Sequence, residues 1–379
     1  MNKRIMIVAG EASGDLHGAG LVREALKKDP SLSFFGIGGS KMREAGVEIL
    51  VDASEIAVVG LVEIISHFPK IRHAFTILKK IIRTEPPDLL ILIDYPGFNI
   101  RLAKIAKSAK VKVLYYISPQ VWAWRVGRVK KIGKVIDRMA VVFPFEVPFY
   151  EKEGIPVTFT GHPLADSVHP LMTREAAQRE FGLQPERKTI GLFPGSRKSE
   201  IENLLPVILD SAELLRKRFP DAQFILPLAA SLKRQDIEHH LRSTPVEVTV
   251  IEGMGYDVMQ VCDAIITVSG TVTLEIAMIG IPMVIIYKVA PLTYSIAKRL
   301  VKVDHIGLCN IVAGERIVTE LIQDDLSPEK VAGEITKILT DADYAGTIRA
   351  KYIRVRENLG SGGCSEKVAG LALEMLGKS

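Results

Sequence analysis

The stretch Lys188–Asn203, KTIGLFPGSRKSEIEN, contains the pattern that decides the fold. Thr189–Phe193 is a short apolar run that predicts a buried strand, and the PGSR after it predicts a tight turn. Ser199 with Glu202 three residues later fits a capping box, so we expect a helix to begin there. Apolar residues then recur at the spacing of an amphipathic helix, at Ile201, Leu204, Leu205, Ile208, Leu209, Ala212 and Leu215.

The turn in this unit is a candidate anion site. Backbone N–H groups at Gly195 and Ser196 and the positive end of the helix dipole would converge there. Arg197 adds a guanidinium group that can pair with a phosphate through two hydrogen bonds. A phosphate or diphosphate is the ligand that such groups favour. The alternative is an ordinary turn of a parallel α/β sheet, because short motifs also match by chance.

The same pattern opens the chain. Lys3–Ala9 predicts a strand, Gly10–Asp15 (GEASGD) predicts a glycine turn, and a helix should follow to about Lys28. Two such beginnings in 379 residues predict two α/β domains that face each other across a cleft. The linker between them is predicted at Thr160–Pro170, TGHPLADSVHP.

Near-continuous apolar runs, such as LLILI, alternate with helical segments in both halves. Runs of this kind are typical of parallel strands buried on both faces, so we expect two doubly wound, Rossmann-like sheets with ligands at the carboxyl ends of their strands. The predicted strands lie near 3–9, 32–38, 88–94, 111–117, 136–142 and 156–160, and near 189–193, 222–228, 246–251, 263–268 and 281–287. The predicted domains are 1–165, 170–344 and a set of C-terminal helices, 345–379, that return to the first domain.

Composition limits the function only loosely. A net charge of +5 favours anionic partners, and three widely spaced cysteines fit a reducing cytoplasm. Apolar stretches are too short for a membrane span, and the basic start of the chain leads into a first strand and not a signal peptide. The basic segment Arg125–Arg138 lacks interleaved aromatic residues, so we expect no nucleic acid partner. It is either a solvated helix face or a basic wall for a phosphorylated acceptor.

Asp94 follows the apolar run DLLILI and precedes YPGFN. A carboxylate at the end of a buried strand points into a ligand site, where it could act as a general base. The alternative is that Asp94 is the N-cap of the next helix, which is a common place for aspartate. The local sequence slightly favours the cap.

The first turn, GEASGDLH, gathers Glu11, Ser13 and Asp15. It matches neither G-x-G-x-x-G nor G-x-S-x-G, so neither a dinucleotide fold nor a hydrolase elbow is supported. Ser13 or Asp15 could cap the helix. The turn has more polar groups than one cap needs, which favours a ligand contact.

Three further segments carry predictions. In Val268–Glu275 (VSGTVTLE), the carboxylate of Glu275 could accept two hydrogen bonds from ribose hydroxyls, or it could only stabilise the helix dipole. Ala53–Phe68 is apolar nearly all round, which favours a buried helix over a membrane-facing one. Asp341-Ala342-Asp343 resembles a metal-binding D-x-D but follows a helix, so we expect no metal and no cofactor.

Seven motifs, spread in order over nearly the whole chain, resemble those of the lipid-A-disaccharide synthase family. They are GEASGDLHGA, LLILIDYPGFN, YYISPQVWAW, FTGHPL, LFPGSRKSEI, SGTVTLE and LCNIV. The resemblance implies a GT-B glycosyltransferase with two Rossmann-like domains. It also implies an inverting, metal-independent reaction that joins UDP-2,3-diacylglucosamine to 2,3-diacylglucosamine 1-phosphate (lipid X), forming the β-1,6 disaccharide and UDP.

The resemblance also assigns roles to residues. It implies that Asp94 is the base for the acceptor 6-hydroxyl. The residues implied to contact the donor are Gly195, Ser196, Arg197, Gly270, Thr271, Glu275 and Asn310. Those implied to contact a sugar or the acceptor are Glu11, Ser13, Gly14, Asp15 and Gln120. The resemblance favours a membrane-facing apolar segment over a buried helix. The residues implied to contact the membrane are Val58, Val59, Leu61, Val62, Ile65 and Phe68.

The family further implies a cytoplasmic enzyme that is peripheral on the inner membrane of Gram-negative bacteria, with a homodimer as its highest expected assembly. Two other functions fit the same residues. One is another UDP-sugar enzyme of this fold, such as a UDP-N-acetylglucosamine transferase or a 2-epimerase. The other is a nucleotide-sugar-binding protein without catalysis.

Overall fold

The computed structural model describes residues 3–56, 61–119, 126–289 and 304–377, and for residues 61–67 and 126 it describes the backbone alone. The chain divides into two compact units. Unit 1 is Met1–Asp166 with Leu359–Ser379, and unit 2 is Ser167–Asn358.

Unit 1 contains a parallel sheet. Its strands are β1 (Arg4–Ala9), β2 (Ser33–Gly38), β3 (Val47–Asp52), β4 (Leu89–Ile93), β5 (Lys112–Tyr116), β6 (Arg138–Val141) and β7 (Val157–Phe159). Their order is β3-β2-β1-β4-β5-β6-β7, and every described pair of neighbours is parallel. The order changes direction between β1 and β4, which makes the carboxyl ends of these two strands the expected ligand position in a sheet of this type.

Helices cover both faces of this sheet. The helices up to the end of unit 1's first segment are α1 (Ala12–Lys28), α2 (Ser40–Glu44), α3 (Leu61–Thr84), α4 (Pro96–Ser108), α5 (Val129–Gly133), α6 (Val147–Glu151) and α7 (Leu164–Ser167). Alternate strand residues such as Leu90 and Leu92 share a fully buried core with Leu78 of α3 and Leu102 of α4. Their neighbour Ile93 points the other way and lies against α1. The period-2 alternation of a strand therefore supplies both layers.

Unit 2 contains a second parallel sheet. Its strands are β8 (Thr189–Phe193), β9 (Gln223–Leu228), β10 (Val248–Glu252), β11 (Ala264–Val268), β12 (Met283–Tyr287) and β13 (Glu320–Ile322). Their order is β10-β9-β8-β11-β12-β13, again with parallel pairing throughout the described strands. The change of direction lies between β8 and β11, so the turns after these two strands occupy the expected ligand position.

The helices of unit 2 lie between and after its strands. They are α8 (Arg174–Glu180), α9 (Lys198–Arg218), α10 (Gln235–Arg242), α11 (Gly255–Val261), α12 (Val272–Ile279), α13 (Leu308–Ala313), α14 (Pro328–Thr340) and α15 (Ala342–Leu359). Short 3-10 turns at Ala53–Glu55, Val126–Arg128, Pro144–Glu146 and Gln323–Asp325 complete the described elements. The long helix α9 packs its buried face, which includes Leu204 and Leu205, on the sheet and on α14.

The C-terminal helices divide between the units, which differs from the predicted division. The helix α15 belongs to unit 2, where the Tyr352 hydroxyl donates to the carbonyl of Ile281. The last helix, α16 (Cys364–Met375), belongs to unit 1 and packs on α1. The Asp166 carboxylate accepts from the N–H groups of Gly363 and Cys364, so it holds the start of α16. Only α16, and not the whole of 345–379, therefore joins unit 1.

The predicted fold class of two parallel α/β sheets is confirmed, with two differences of detail. The strands β3 and β13 were not predicted, and both pair at an outer edge of their sheet. The predicted capping box at Ser199 and Glu202 is wrong, because the helix begins one residue earlier, at Lys198, with Arg197 as N-cap. No helix in the described part of the chain is long and apolar enough to cross a membrane.

Candidate functional site

The turn between β8 and α9 depends on one glycine. Gly195 has a φ of 109°, a conformation that L side chains rarely adopt. A Cβ atom at this position would also collide with the carboxylate of Glu200, which folds back over the turn from the first turn of α9. The sequence PGSR is thus required both for its backbone conformation and for the close approach of Glu200.

Glu200 replaces the predicted capping residue. Its Oε2 atom accepts from the backbone N–H of Ser196 at 2.8 Å and of Arg197 at 3.2 Å. Its Oε1 atom lies 3.5 Å from the Arg197 guanidinium, which is 64% exposed. A carboxylate in the first helical turn is favoured by the helix dipole, so these contacts stabilise the start of α9.

A cavity of about 530 Å³ opens beside this turn. It lies at the carboxyl ends of the central strands of unit 2, and its size is that of a typical small-molecule site. Six of the residues predicted to bind the donor line it, namely Gly195, Ser196, Arg197, Gly270, Thr271 and Glu275. The turn after β8 and the turn after β11 therefore contribute to one site, as the order of the strands requires.

Glu275 lies one turn inside α12 at this cavity. The Tyr256 hydroxyl donates to its Oε1 atom at 3.3 Å, and burial raises the pKa of the Glu275 carboxyl above its ordinary value. Burial and the nearby Glu275 raise the pKa of Tyr256 to about 12. The carboxylate is thus oriented by one phenol while it still lines the cavity, where its remaining lone pairs can accept from hydroxyl groups.

Asn310, the other predicted donor residue, is not brought to this cavity. It is fully buried, and its Nδ2 atom donates to the Val318 carbonyl and to Glu320, at 3.0 and 2.7 Å. Its Oδ1 atom accepts from the N–H groups of Ile317 and Val318. Its hydrogen-bonding groups are therefore used within unit 2, where they connect α13 to β13.

In unit 1 a second candidate turn follows β4, the strand that corresponds to β11 of unit 2. Asp94 and Tyr95 have φ values of 43° and 44°, so two successive residues other than glycine adopt the left-handed region. Each such residue costs on the order of 1–3 kcal/mol, and neighbouring groups must hold it in place. The Tyr115 hydroxyl and the Asn99 Nδ2 atom both donate to the Asp94 carbonyl, at 2.6 and 2.8 Å.

The side chain of Tyr95 fixes this turn against β1. Its hydroxyl donates to the Ile56 carbonyl at 3.0 Å, and its ring covers Gly10 so closely that a Cβ atom there would lie 2.5 Å from the ring. Glu11, at the start of α1, is near enough to raise the pKa values of both Asp94 and Tyr95. The turns after β1 and β4 thus form one structure around Asp94.

The surroundings of the Asp94 carboxyl shift its pKa. Burial and the negative charge of Glu11 raise its pKa to about 6, although a hydrogen bond from the Tyr95 N–H acts against this shift. The N-cap of α4 is Tyr95, which forms no side-chain capping bond. The structure therefore does not support the alternative that Asp94 is the helix cap. With a pKa of about 6, the carboxyl is mostly ionised at neutral pH.

The other predicted residues of the first turn have different environments. Asp15 is 5% exposed, and its carboxylate accepts from the backbone N–H groups of Gly39, Lys41 and Met42. It therefore holds the start of α2, which gives it a structural role. Gly14 is buried against Ala9 and Ile93, whereas Ser13 and Glu11 are exposed.

Comparison with known proteins identifies the family. A model of the family described as "Lipid-A-disaccharide synthetase" matches residues 5–372. The chain belongs to that family. The predicted family is thereby confirmed, and with it the prediction that the chain is a glycosyltransferase of lipid A biosynthesis.

The relatives and the solved structures agree with this assignment. The lipid-A-disaccharide synthase of Geobacter metallireducens is 67% identical over 377 residues, which cover 100% of this chain and 98% of the relative. That of Coxiella burnetii is 46% identical and covers 97% of each chain. A putative UDP-N-acetylglucosamine 2-epimerase from Listeria monocytogenes has a TM-score of 0.67 at 12% identity, covering 100% and 98%. MurG from Acinetobacter baumannii has a TM-score of 0.56 at 13% identity, covering 98% and 99%. At such identities the likeness shows the fold alone.

Several predicted residues of this family member lie outside the described part of the chain. They are Gln120, Val58 and Val59, while Leu61, Val62 and Ile65 are described only as backbone of α3. Phe68, on the same helix, is 56% exposed. Among the described residues, no group of three or more histidine, cysteine, aspartate or glutamate side chains is arranged to hold a metal ion.

Sequence reasoning missed the residues that position the predicted ones. Tyr95, Asn99 and Tyr115 hold Asp94, and Glu200 and Tyr256 hold Arg197 and Glu275. Asn99 lies within a recognised motif, and Glu200 follows Arg197 by three residues, which is a signal that could have been used. Tyr115 also lies within a recognised motif, YYISPQVWAW, but nothing in the local sequence points to its contact with Asp94 or to Tyr256. Each of these two residues reaches its partner from another segment of its unit.

Proposed function

We propose that the chain transfers 2,3-diacylglucosamine from UDP to the 6-hydroxyl of 2,3-diacylglucosamine 1-phosphate, forming a β-1,6 disaccharide and UDP. One observation carries this proposal. In a chain of this family, the cavity of about 530 Å³ is lined at one side by the Arg197 turn and at another by Glu275, as a nucleoside diphosphate requires. The two groups match the two polar parts of UDP, its diphosphate and its ribose.

The donor would bind in unit 2. Its diphosphate would lie at the Gly195–Arg197 turn and at the start of α12 after Gly270, where backbone N–H groups and the helix dipole favour negative charge. The ribose hydroxyls would donate to Glu275, which Tyr256 already orients. Arg197 and these backbone donors would stabilise the charge that develops on the leaving diphosphate.

Asp94 would supply the base in unit 1. Its carboxylate would take the proton of the acceptor 6-hydroxyl while that oxygen attacks the anomeric carbon and the bond to UDP breaks. A single displacement of this kind inverts the anomeric configuration. Its pKa of about 6 suits this role, because the carboxyl is ionised at neutral pH and is yet a stronger base than an ordinary aspartate.

The test is to incubate the purified protein with UDP-2,3-diacylglucosamine and 2,3-diacylglucosamine 1-phosphate in detergent with EDTA. The expected result is the disaccharide 1-phosphate, detected by mass spectrometry, together with UDP. Formation of product only after Mg²⁺ is added would overturn the metal independence. If UDP binds but neither condition gives product, the proposed reaction is wrong.

The enzyme is also proposed to be peripheral on the cytoplasmic face of the inner membrane, where both lipid substrates would be reached. Support comes from the 56% exposed Phe68, which stands on α3 beside Arg72 and His73 around a shallow surface pocket. An exposed aromatic ring next to basic groups suits an anionic membrane surface. Sedimentation with anionic vesicles tests this, and Phe68→Ser should bind them more weakly. If Phe68→Ser binds the vesicles as strongly as the wild type does, a role for Phe68 is contradicted.

A further inference from the structure

The Glu200 carboxylate occupies the groups that are proposed to bind the diphosphate. Its Oε2 atom accepts from the N–H groups of Ser196 and Arg197, and its Oε1 atom approaches the Arg197 guanidinium. These are the donors and the cation of the turn. In the structure they are therefore satisfied by an anion that belongs to the chain itself.

Such a contact has two opposite consequences for a ligand. It keeps the turn and Arg197 in place, because a charged hydrogen bond to a helix N-terminus is stabilising. It also lowers the positive potential at the turn, because a carboxylate only a few ångströms from the phosphate position repels a second anion. A diphosphate can use these donors only if the carboxylate leaves them.

The structure provides a place for the carboxylate to go. A second cavity, of about 460 Å³, is also lined by Arg197 and Glu200. Tyr287 and Lys288, at the end of β12, line the same cavity. Glu200 and Tyr287 line this cavity together, and burial and the negative charge of Glu200 both raise the pKa of that phenol. A turned Glu200 would find a phenol and an ammonium group there.

We propose that the Glu200 carboxylate competes with the donor diphosphate for the N–H groups of the turn and for Arg197. It opposes binding of the diphosphate, and it takes the place of the diphosphate when UDP leaves. This inference rests on the proposed donor site. On binding, the diphosphate takes the N–H groups of the turn and Arg197, and Glu200 turns toward Tyr287 and Lys288. When the product is released, the carboxylate returns to the turn. Glu200 thereby sets the affinity for UDP and favours its release.

The proposal predicts that the effect of Glu200 grows with the charge of the ligand. Glu200→Gln removes the charge, while its amide oxygen can still accept from the two N–H groups and preserve the turn. The matched control is Glu202→Gln, which makes the same change of net charge at an exposed position of the same helix. Binding of uridine, UMP and UDP to the three proteins is measured by calorimetry at one salt concentration.

The expected result is that Glu200→Gln binds UDP about tenfold more tightly than the wild type, binds UMP with a smaller gain, and binds uridine equally. Glu202→Gln should match the wild type for all three ligands. Turnover should become limited by UDP release in Glu200→Gln, seen as stronger inhibition by added UDP.

Two results would overturn the inference. In one, Glu200→Gln binds UDP as the wild type does, or more weakly, which would make Glu200 only a structural cap. In the other, the affinity of Glu200→Gln for uridine rises as much as its affinity for UDP. Failure of the proposed function would give a different result, namely that the wild type does not bind UDP at all.

Discussion

The turns after β4 and β8 both lie where the strand order of their sheet changes direction, yet the acidic residues at the two turns have opposite environments. In unit 2 the carboxylate of Glu200 accepts two backbone hydrogen bonds and faces a guanidinium group. In unit 1 the carboxylate of Asp94 lies near a second acid, Glu11, and burial disfavours its charge. The turn after β8 thus already holds a carboxylate, whereas the turn after β4 holds a carboxyl whose pKa is raised.

Backbone conformation explains this difference. The left-handed glycine in PGSR turns two consecutive N–H groups, of Ser196 and Arg197, toward one point, where both donate to the Glu200 carboxylate. In IDYPGFN the left-handed pair Asp94 and Tyr95 is held through the Asp94 carbonyl, so the carboxylate is left to project. Two turns in the same kind of fold thus divide the proposed reaction into donor binding and proton transfer.

The largest effect is expected from a substitution of Asp94, which tests the division of roles between the two turns. Asp94→Asn should lower kcat about 10²- to 10³-fold, because the amide cannot take a proton, while the Kd for UDP stays unchanged. Steady-state kinetics and calorimetry on the same preparation measure both. Asp88→Asn, at the other end of β4 and paired with Lys3, is the matched control and should keep its kcat. A kcat within threefold of the wild type in Asp94→Asn would remove Asp94 from the mechanism.

The complementary change is in unit 2. Glu275→Gln should weaken UDP binding about tenfold, because a neutral amide is a poorer acceptor for ribose hydroxyls than a carboxylate. The loss should disappear with 2′,3′-dideoxy-UDP, which has no such hydroxyls to donate. Glu252→Gln, exposed at the end of β10, controls for the change of charge. An equal loss for both nucleotides would show that Glu275 does not contact the ribose.

A smaller effect is expected from the residues that position Asp94. Tyr115→Phe removes one of the two hydrogen bonds to the Asp94 carbonyl and should lower kcat roughly threefold to tenfold, with little change in the Kd for UDP. Tyr116→Phe is its control, because that hydroxyl contacts Cys364 on the opposite face of the same strand. Equal kinetics in the two variants would contradict a positioning role for Tyr115.

The smallest expected effect is on stability. The pKa of Asp94 is raised in the folded state from an ordinary value near 3.8 to about 6. The folded state therefore binds the proton more tightly, and the stability that protonation contributes is present below pH 3.8 and is lost as the pH rises through 6. At pH 7.5, Asp94→Asn should unfold roughly 2–5 °C higher than the wild type, and at pH 4 the gain should be much smaller. A lower Tm at pH 7.5 would show that the charge of Asp94 does not cost stability.

The sequence predicted the central strands to within two or three residues, because strands buried on both faces are continuous apolar runs such as LLILI. Two edge strands, β3 and β13, were missed for physical reasons. The strand β13 has only three residues, and β3 is half exposed, so neither has a strong apolar signal. Such segments become strands because they pair with a neighbouring strand, and a single sequence does not contain that information.

The same reasoning applies to the site. The sequence singled out Asp94 because it stands directly after a buried strand, and Arg197 because it lies in the turn that follows another. The choice between base and cap for Asp94 depends on two φ values that the local sequence does not reveal. Glu200 was overlooked because the predicted start of α9 was displaced, and the first helical turn decides which acid reaches back. The partners of Asp15 and Asn310 come from other segments, so their structural roles appeared only in three dimensions.

The measurement that tests the central claim most directly is the pH dependence of kcat/KM in the wild type and in Glu11→Gln. If Asp94 is the base, kcat/KM of the wild type should rise as the pH increases through about 6 and then level off. Removing the charge of Glu11 should move this midpoint to lower pH, because that charge helps to raise the pKa of Asp94. The acceptor phosphate also ionises near pH 6. If that ionisation set the midpoint, Glu11→Gln would have the same midpoint as the wild type. A flat profile, or the same midpoint in both proteins, would contradict the assignment of Asp94 as the base.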